Sequence, residues 1–421
     1  MSTTIEDAAH ELADEIKRHE FIELICHSDA DGITAGAIMA TALYRAGVRF
    51  RIRAKSRIET DSLPDSSILL CDLGSGLSDL PESAMVIDHH NPLFEGPFHV
   101  NPRLHNINGD TELSGAGAAY IVANALGDNR DLCGLVIVGI LGDEQEMVGK
   151  NKEICQEAIA TGIIEHGHGL CLGGRTFEEK ILWSTKPYFT GYSGDEDAIM
   201  SLFAKASKRK EEKHSNKDKS LETTLVSSLL VMCAIPYAGY DQICGLYGDT
   251  YTLTRENVAD AYTMSILLDA CAKSGASGEA LAVAMRAPMD PDIAFKAAHS
   301  YRMRIITEMN KLHAECSAKT GGETLSVFQT DEFPLVSDIA DAIWNSYPRQ
   351  GSIAVLGPIH ENQIRVSFRD AGTKGVNLGI CANELAKKYH GFGGGHLTRA
   401  GATIPADEID AFMTDMREVF A

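Results

Sequence analysis

Short apolar runs recur along the first 150 residues of the chain, and stretches with helical periodicity separate them. Strands are predicted at FIELICH (21–27), VRFRIRA (48–54), SSILLCD (66–72) and SAMVIDHH (83–90). Residues 4–19 and 33–47 have the spacing of amphipathic helices, and Ser114 is a predicted N-cap. Strands this apolar, set between helices, are typical of a parallel sheet buried on both faces. The predicted fold class is therefore α/β.

A second alternation of strands and helices begins near residue 323 and ends with GFGGGHLTRAGATIP (391–405). Between the two alternations, residues 150–200 have a helical pattern with glycine breaks, as in EHGHGLCLGGR, and residues 256–315 are helical. We therefore predict three parts. They are an N-terminal domain with a mostly parallel sheet (1–195), a helical connecting region (196–318) and a smaller C-terminal α/β domain (319–421).

Composition narrows the class of protein. The formal charge of the 421-residue chain is -21, from 38 basic and 59 acidic residues. This charge argues against a protein that coats nucleic acid through a broad basic surface, although a nuclease needs only local positive charge. The charged run KASKRKEEKHSNKDKS (205–220) is interpreted as a solvated helix end or linker. No apolar run approaches the length of a membrane span and the N-terminus lacks signal-peptide features, so we expect a cytoplasmic protein.

Potential metal ligands follow apolar segments at four places in the first 150 residues. Because ligands bind at the carboxyl ends of strands in open α/β sheets, these side chains are expected to meet in one crevice. They are His27, Asp29 and Asp31 after FIELIC, Asp72 after SSILLC, Asp88, His89 and His90 after SAMVI, and Asp143 after GLVIVGILG.

These residue types suggest the chemistry. Several carboxylates packed together repel one another unless cations neutralise them. Carboxylate and imidazole ligands together suit Mn²⁺, with Mg²⁺ or Co²⁺ as alternatives, better than thiolate-preferring metals. The number of ligands favours two ions with a shared aspartate bridge, an arrangement that supplies a nucleophile and clamps the oxygens of a phosphoryl displacement.

The motifs resemble those of the DHH phosphoesterase superfamily. HSDADG, the aspartate of LLCDLG, the triplet in VIDHHNP and the aspartate of GILGDE follow one another as in that family. GFGGGHLTRAGATIP resembles the glycine-rich signature of the associated C-terminal domain. The length between the two regions is most similar to that of archaeal RecJ-like single-strand exonucleases.

The resemblance implies roles for these residues. His27 and Asp29 would hold one metal ion, Asp31, His89 and Asp143 the other, and Asp72 would bridge them. His90 would face the scissile phosphate and Asp88 would orient the neighbouring histidines, so His90, Asp88 and Asp72 form the catalytic set. The nucleophile would be a metal-bound hydroxide. In the C-terminal domain, the substrate would be bound by Gly393, Gly394, Gly395, His396, Ser367 and Arg369.

The resemblance also implies a function. It is the release of nucleoside monophosphates from single-stranded DNA or RNA, in DNA repair or replication, with the GINS replication complex as a candidate partner. A nanoRNase or small-nucleotide phosphoesterase, acting on cyclic dinucleotides or adenosine bisphosphate, is the alternative. A non-catalytic replisome scaffold is a second alternative, against which the intact ligand set counts. Cleavage polarity, DNA or RNA preference and oligomeric state stay open.

Overall fold

The computed structural model describes residues 4–58, 60, 63, 67–77, 79–212, 245–318, 324–347, 351–359, 362–372 and 375–420. Contacts divide the chain into two compact units. The first unit comprises Met1–Gly169 and Asp249–Tyr301, and the second comprises Leu170–Gly248 and Arg302–Ala421. Our three-part division at residues 195 and 318 stays a prediction. Among the described residues, no helix combines the length and the apolarity that crossing a membrane requires.

The strands are numbered in chain order. They are β1 (Phe21–His27), β2 (Arg49–Lys55), β3 (Ile68–Cys71), β4 (Met85–Ile87), β5 (His99–Val100), β6 (Ile164–Leu170), β7 (Tyr247–Leu253), β8 (Leu325–Gln329), β9 (Ser352–Ile359), β10 (Gln363–Arg369), β11 (Phe392–Gly395) and β12 (Arg399–Pro405).

The helices of the described residues are numbered in the same way. They are α1 (Ile5–Ile16), α2 (Ala30–Arg45), α3 (Gly115–Leu126), α4 (Cys133–Gly142), α5 (Gly149–Ala160), α6 (Phe177–Leu182), α7 (Glu196–Glu212), α8 (Ala261–Lys273), α9 (Ser277–Ala284), α10 (Asp292–Ala318), α11 (Val336–Ser346), α12 (Leu378–Lys388) and α13 (Ile409–Phe420).

The first unit is built on a five-stranded parallel sheet with the strand order β2-β1-β3-β4-β5. This arrangement confirms the predicted α/β class. The central strand β3 is buried along its whole length, as expected for a strand with helices or other chain on both faces. Because the strands are parallel, their carboxyl ends lie on one edge, where His27 ends β1 and Asp72 and Asp88 follow β3 and β4.

Helix packing in this unit follows from composition. Residues Cys133–Ile140 of α4 are all buried, because a helix that is apolar on every side needs neighbours on every side. Asp29 caps α2 by accepting a hydrogen bond from the Gly32 amide. Ser114 caps α3 through the Gly117 amide, which confirms its predicted role.

The second unit contains a five-stranded sheet with the order β11-β12-β10-β9-β8. Its strands are antiparallel except for β8 and β9. Helices α12 and α13 contribute Leu378, Ala382, Phe412 and Met416 to its core, where they pack with sheet residues such as Phe368. This is the smaller C-terminal α/β domain that the sequence predicts.

The structure corrects several local predictions. Residues 164–170, within the stretch predicted to be helical, form strand β6, which pairs with β7. The glycine run forms the edge strand β11. Asp31 and Gly32 belong to the first turn of α2, so His27, Asp29 and Asp31 do not alternate along one strand. The charged run 205–220 continues α7 to residue 212 and then lies outside the described residues.

Candidate metal centre

One group of potential ligands lies at the end of β1. The donor atoms of His27, Asp29 and Asp72 lie within 4.8 Å of one another. Nδ1 of His27 is 2.6 Å from Oδ2 of Asp29 and 3.7 Å from Oδ2 of Asp72. The strand brings His27 to the edge of the sheet, and the N-cap conformation of Asp29 turns its carboxylate back toward the ring.

A second group lies between the N-terminus of α2 and the C-terminus of α4. The donor atoms of Asp31, His89 and Asp143 again lie within 4.8 Å of one another. Nε2 of His89 is 3.2 Å from Oδ2 of Asp143 and 3.8 Å from Oδ2 of Asp31. Sequence positions more than 100 residues apart are thus brought together, as expected for the carboxyl edge of a parallel sheet.

Asp72 belongs to the first group and also approaches His89 of the second. Its Oδ2 faces His27, whereas its Oδ1 is 3.2 Å from Nε2 of His89. The residue is only 2% exposed and has a φ angle of 61°, in the left-handed region that few non-glycine residues adopt. The backbone at Asp72 therefore turns sharply after β3, which directs its carboxylate into the space between the two histidines.

Asp88 and its neighbours hold the histidine pair. Oδ1 of Asp88 accepts hydrogen bonds from the backbone amides of His89 and His90 and lies 2.7 Å from Nδ1 of His90. The ring of His89 is held differently, because its Nδ1 is 2.5 Å from the Gly109 carbonyl oxygen. Asp88 thus orients the His90 ring, while a backbone carbonyl orients the His89 ring.

Glycines make room for the carboxylates. A Cβ atom on Gly115 would lie 2.5 Å from Oδ1 of Asp72, and one on Gly139 would lie 2.2 Å from Oδ1 of Asp31. A Cβ on Gly32 would lie 2.5 Å from the His27 carbonyl oxygen, so the absence of a side chain lets the chain pass tightly from β1 into α2. Asp31 also accepts hydrogen bonds from the amides of Gly115 and Ala116, at 2.6 and 3.0 Å, at the N-terminus of α3.

Five carboxylates and three imidazoles make up this site, which we call the carboxylate cluster: His27, Asp29, Asp31, Asp72, Asp88, His89, His90 and Asp143. Burial and the charge of Asp143 raise the pKa of Asp31 to about 7. Burial and the charge of Asp31 raise the pKa of Asp72 well above its ordinary value. Burial lowers the pKa of His27, but the charge and hydrogen bond of Asp29 together with the charges of Asp72 and Asp143 outweigh it and raise that pKa to about 10.

The cluster fits divalent cations on two grounds. Oδ1 of Asp72 is buried and has no hydrogen-bond partner among the described residues, although a buried carboxylate oxygen ordinarily accepts at least one bond. Burial, together with the like charge of neighbouring carboxylates, raises the pKa values of Asp31 and Asp72, so added cations would stabilise their ionised forms. Imidazole and carboxylate donors are suited to Mn²⁺ and related ions.

Residues of the second unit form a different charged group, which we call the basic cluster: Lys186, Arg369 and Arg399 around Asp341. Nε of Arg369 donates to Oδ1 of Asp341 at 2.6 Å. Lys186 and Arg399 approach the same carboxylate at 3.0 and 3.9 Å. Arg369 is 4% exposed and also donates to the Ser337 carbonyl and hydroxyl oxygens. Ser367, on the same strand, is buried.

The glycine run lies against α12. A Cβ on Gly393 would lie 2.6 Å from the Ala382 carbonyl oxygen, and Gly395 has a φ of 144° with the Arg399 carbonyl oxygen 2.3 Å from its Cβ position. Gly394 faces open space among the described residues. The amide of His396 donates to the Arg399 carbonyl and therefore belongs to the β11–β12 hairpin. At least two of the three glycines serve close packing.

Several residues that support the site were not found from the sequence. The amide nitrogen of the Gln145 side chain is 2.9 Å from the Gly109 oxygen and 3.2 Å from Nδ1 of His89. The side-chain amide of Asn151 donates a hydrogen bond to Oε1 of Gln145 at 2.8 Å. Gln145 follows Asp143 by two positions. The polar residues directly after GILG could therefore have indicated that Gln145 supports the site. Nothing in the sequence indicated that Gly115 and Gly139 lie against the carboxylates of Asp72 and Asp31.

Comparisons with known proteins agree with this architecture. A family model described as the DHHA1 domain matches residues 332–421. An uncharacterized protein of Methanocaldococcus jannaschii is 25% identical over 99% of this chain and 97% of its own.

Among solved structures, RecJ of Thermus thermophilus in complex with Mn²⁺ matches 99% of this chain with a TM-score of 0.59 and 16% identity. The match covers 54% of the RecJ chain, so this chain spans about half the length of that protein. CDC45 of Entamoeba histolytica matches 99% of this chain and 98% of its own, with a TM-score of 0.62 and 11% identity. Residues 332–421 therefore match the DHHA1 domain and the chain has the fold of RecJ, in agreement with the resemblance that its motifs indicated.

Proposed function

We propose that the protein is a two-metal phosphodiesterase of the RecJ-like kind, an exonuclease that hydrolyses single-stranded DNA or RNA to nucleoside monophosphates. The observation that carries this proposal is the position of Asp72, which directs one carboxylate oxygen toward each of two ligand groups. In the proposed assignment, His27 and Asp29 hold one ion, Asp31, His89 and Asp143 hold the other, and Asp72 bridges them.

Divalent ions bound there would supply a nucleophilic water and neutralise charge on the phosphate. The two adjacent histidines are suited to different tasks. The His89 side chain is fully buried, whereas 31% of the His90 side chain is exposed. Burial favours His89 as a ligand, and exposure favours His90 as the residue that contacts the substrate phosphate. The hydrogen bond to Asp88 fixes the His90 ring and keeps the proton on Nδ1.

In the second unit we propose that Gly393, Gly394, Gly395 and His396 bind the substrate and that Ser367 and Arg369 support this site from within the strand. The basic cluster supports a role of this unit in binding a phosphate, because it brings Lys186, Arg369 and Arg399 within 4 Å of their shared partner Asp341. Gly394 can accept close approach of a phosphate, since nothing described lies within 4 Å of its Cβ position. Ser367 and Arg369 are buried, so they would act mainly by holding the strand and Asp341 in position.

Mn²⁺ is the proposed metal, with Mg²⁺ or Co²⁺ as alternatives. RecJ of Thermus thermophilus has been crystallised with Mn²⁺ and with Mg²⁺. A role in DNA repair or replication, with GINS as a partner, is part of the same proposal. The fold similarity to CDC45 is the specific observation that favours the second candidate, a non-catalytic replisome component. The complete set of ligands in the carboxylate cluster favours catalysis over that role.

Degradation of labelled strands tests this proposal. The full chain is incubated with 5′- and 3′-labelled DNA and RNA of several lengths, with Mn²⁺, Mg²⁺ or Co²⁺, and the products are separated by size. We expect mononucleotides from long strands only when a divalent ion is present. Cleavage restricted to dinucleotides or short oligonucleotides would support the small-nucleotide phosphoesterase instead. If no nucleotide is released from any substrate with any of the ions, both enzymatic functions are contradicted. The non-catalytic replisome component would then be the remaining candidate.

A further inference from the structure

A row of cations runs along the outermost strand of the first unit's sheet. Side chains alternate between the two faces of a strand, so Arg49, Arg51, Arg53 and Lys55 of β2 share one face. The other face carries Ile52, whose Cδ1 lies 3.2 Å from the Cβ position of Gly36 in α2. Because the apolar face packs against α2, the four cations, which we call the cationic row, lie on the opposite face.

The row keeps a net positive charge. Its arginine side chains are 73%, 59% and 40% exposed from Arg49 to Arg53, and Lys55 is exposed. Two carboxylates compensate part of the charge. Glu20 is 3.4 Å from Arg49, and the buried Glu23 is 2.7 Å from Arg51 and 3.3 Å from Arg53. Lys55 forms no ion pair with any residue that the structure describes, so four cations face two carboxylates in a chain of formal charge -21.

The register of the sheet places one end of the cationic row beside the metal centre. In the parallel pairing of β1 with β2, Phe21 lies opposite Arg49, Glu23 opposite Arg51, Ile25 opposite Arg53 and His27 opposite Lys55. Register partners on neighbouring strands are about 4.8 Å apart and point to the same face. The row therefore ends beside His27, on the face from which this proposed ligand emerges.

We propose that the cationic row binds the phosphodiester backbone of a single-stranded nucleic acid and guides it to the metal centre. Cations two residues apart on a strand are about 6.6 Å apart, so each can contact a separate phosphate of one chain. Phe21, at the far end of the row, is a large apolar side chain with 37% exposure, available for a base to stack on. A line of positive charge with an exposed aromatic is the combination that single-strand binders use. This inference rests on the proposed nuclease function and adds where the substrate strand lies.

The test variant must not unfold the protein. Removing both Arg51 and Arg53 would leave the buried Glu23 unpaired, which destabilises proteins strongly. We therefore choose the triple variant Arg49→Gln, Arg51→Gln, Lys55→Gln, which retains Arg53 as the partner of Glu23. The matched control removes three exposed cations of the same unit that lie outside the sheet: Arg130→Gln, Lys152→Gln, Arg255→Gln. Both variants change the net charge equally.

Binding is measured by fluorescence anisotropy with a labelled, cleavage-resistant phosphorothioate strand in the presence of Mn²⁺ at several salt concentrations. For single strands, each phosphate contact contributes about 0.7 to the magnitude of the slope of log K against log salt concentration. The row variant lacks three cations, so the magnitude of its slope should be smaller by about 2. We expect its Kd at low salt to rise roughly tenfold or more, whereas the control stays close to the wild type. An equal effect of both variants would show only the general effect of charge and would overturn the inference.

Hydrolysis separates this inference from the proposed function. If the wild type degrades long strands and the row variant matches the control in binding and KM, the row is not the path of the strand and the nuclease proposal stands. If no substrate is cleaved but binding depends on the row, the nuclease proposal fails and the nucleic-acid surface stands. An acidic partner protein as the true occupant would leave strand binding unchanged in the row variant, which again overturns the inference.

Discussion

The carboxylate cluster of the first unit and the basic cluster of the second differ in how the charge of their buried aspartates is compensated. Both contain aspartates removed from water, which is costly unless the charge is compensated. At Asp341, three cations compensate one carboxylate and hold its pKa well below the ordinary value, with Arg369 the largest contribution against burial. At Asp31 and Asp72, too few cations are present, and burial and mutual repulsion raise the pKa values.

The difference indicates what each cluster can accept. A group of carboxylates with too little positive charge is stabilised by added cations, and its folded state is less stable until they bind. The Asp341 carboxylate, with three cations around it, is already stable as an anion. The first arrangement is suited to binding added cations, whereas the second needs none.

The largest expected effect follows from changing Asp72. Asparagine is preferable to alanine, because the φ of 61° would cost alanine about 1–2 kcal/mol. Asp72→Asn should lower kcat by roughly three orders of magnitude or more, since metal ions contribute several kcal/mol of transition-state stabilisation. It should also remove repulsion, so that the metal-free variant melts at or above the wild-type temperature.

The measurements are strand degradation and thermal melting with and without Mn²⁺. The wild type should gain stability on addition of Mn²⁺ and the Asp72→Asn variant should gain much less. Asp128→Asn, which changes an exposed aspartate paired with Arg130, is the control and should behave like the wild type in both assays. Near-normal turnover by Asp72→Asn would refute the two-metal assignment and remove the contrast between the two clusters.

The second effect is on stability and concerns Asp341. Asp341→Asn leaves Arg369 buried without its charged partner, which should cost on the order of 3 kcal/mol. The pKa of Asp341 is depressed in the folded state, so its stabilising contribution is complete above the ordinary value of about 4 and is lost as the pH falls through the folded value. The melting-temperature difference between wild type and variant should therefore be largest near neutral pH and shrink in acid.

Melting curves recorded from neutral pH to below pH 4 check this expectation. Asp415→Asn provides the control, because Asp415 forms an ion pair with Lys388 at the surface of the same unit. An exposed pair contributes little to stability, so this variant should show little change at any pH. If Asp341→Asn melts like the wild type at neutral pH, the positive charges are not held in place by Asp341.

These contrasts also show how far the sequence could be interpreted. The meeting of the side chains in the carboxylate cluster was predictable, because parallel strands bring their carboxyl ends to one edge, where His27 ends β1 and Asp72 and Asp88 follow β3 and β4. Strand β6 was missed because HGHGL has no alternation of apolar and polar residues, and its pairing with β7 depends on residues that come some 80 positions later.

The glycine run and Arg369 were also difficult to interpret. Glycines carry no side chain that could show alternation, so the strand β11 is determined by its pairing with β12 and its packing under α12. The sequence SFRD cannot show that Arg369 is buried against Asp341, because that depends on a helix almost 30 residues away along the chain. The cationic row was visible as RFRIRAK, but its meaning required the register that brings Lys55 beside His27.

The smallest expected effect tests whether crowding around Asp72 is part of the site. In an ordinary helix, replacing glycine by alanine stabilises by about 1 kcal/mol. At Gly115, in the first turn of α3, the added Cβ would lie 2.5 Å from Oδ1 and 2.9 Å from Cβ of Asp72, so the carboxylate must move. We expect Gly115→Ala to lower kcat roughly tenfold to a hundredfold, as displaced supporting groups do at metal sites, and to reduce the stabilisation by Mn²⁺.

Gly278→Ala is the matched control, because Gly278 lies in the first turn of α9 and its added Cβ would meet none of the described atoms within 4 Å. This variant should melt slightly higher than the wild type and keep its activity. If Gly115→Ala instead behaves like Gly278→Ala, the position of Asp72 is not fixed by α3. The close approach of α3 would then be ordinary packing, and the two ligand groups would owe their arrangement to the sheet edge alone.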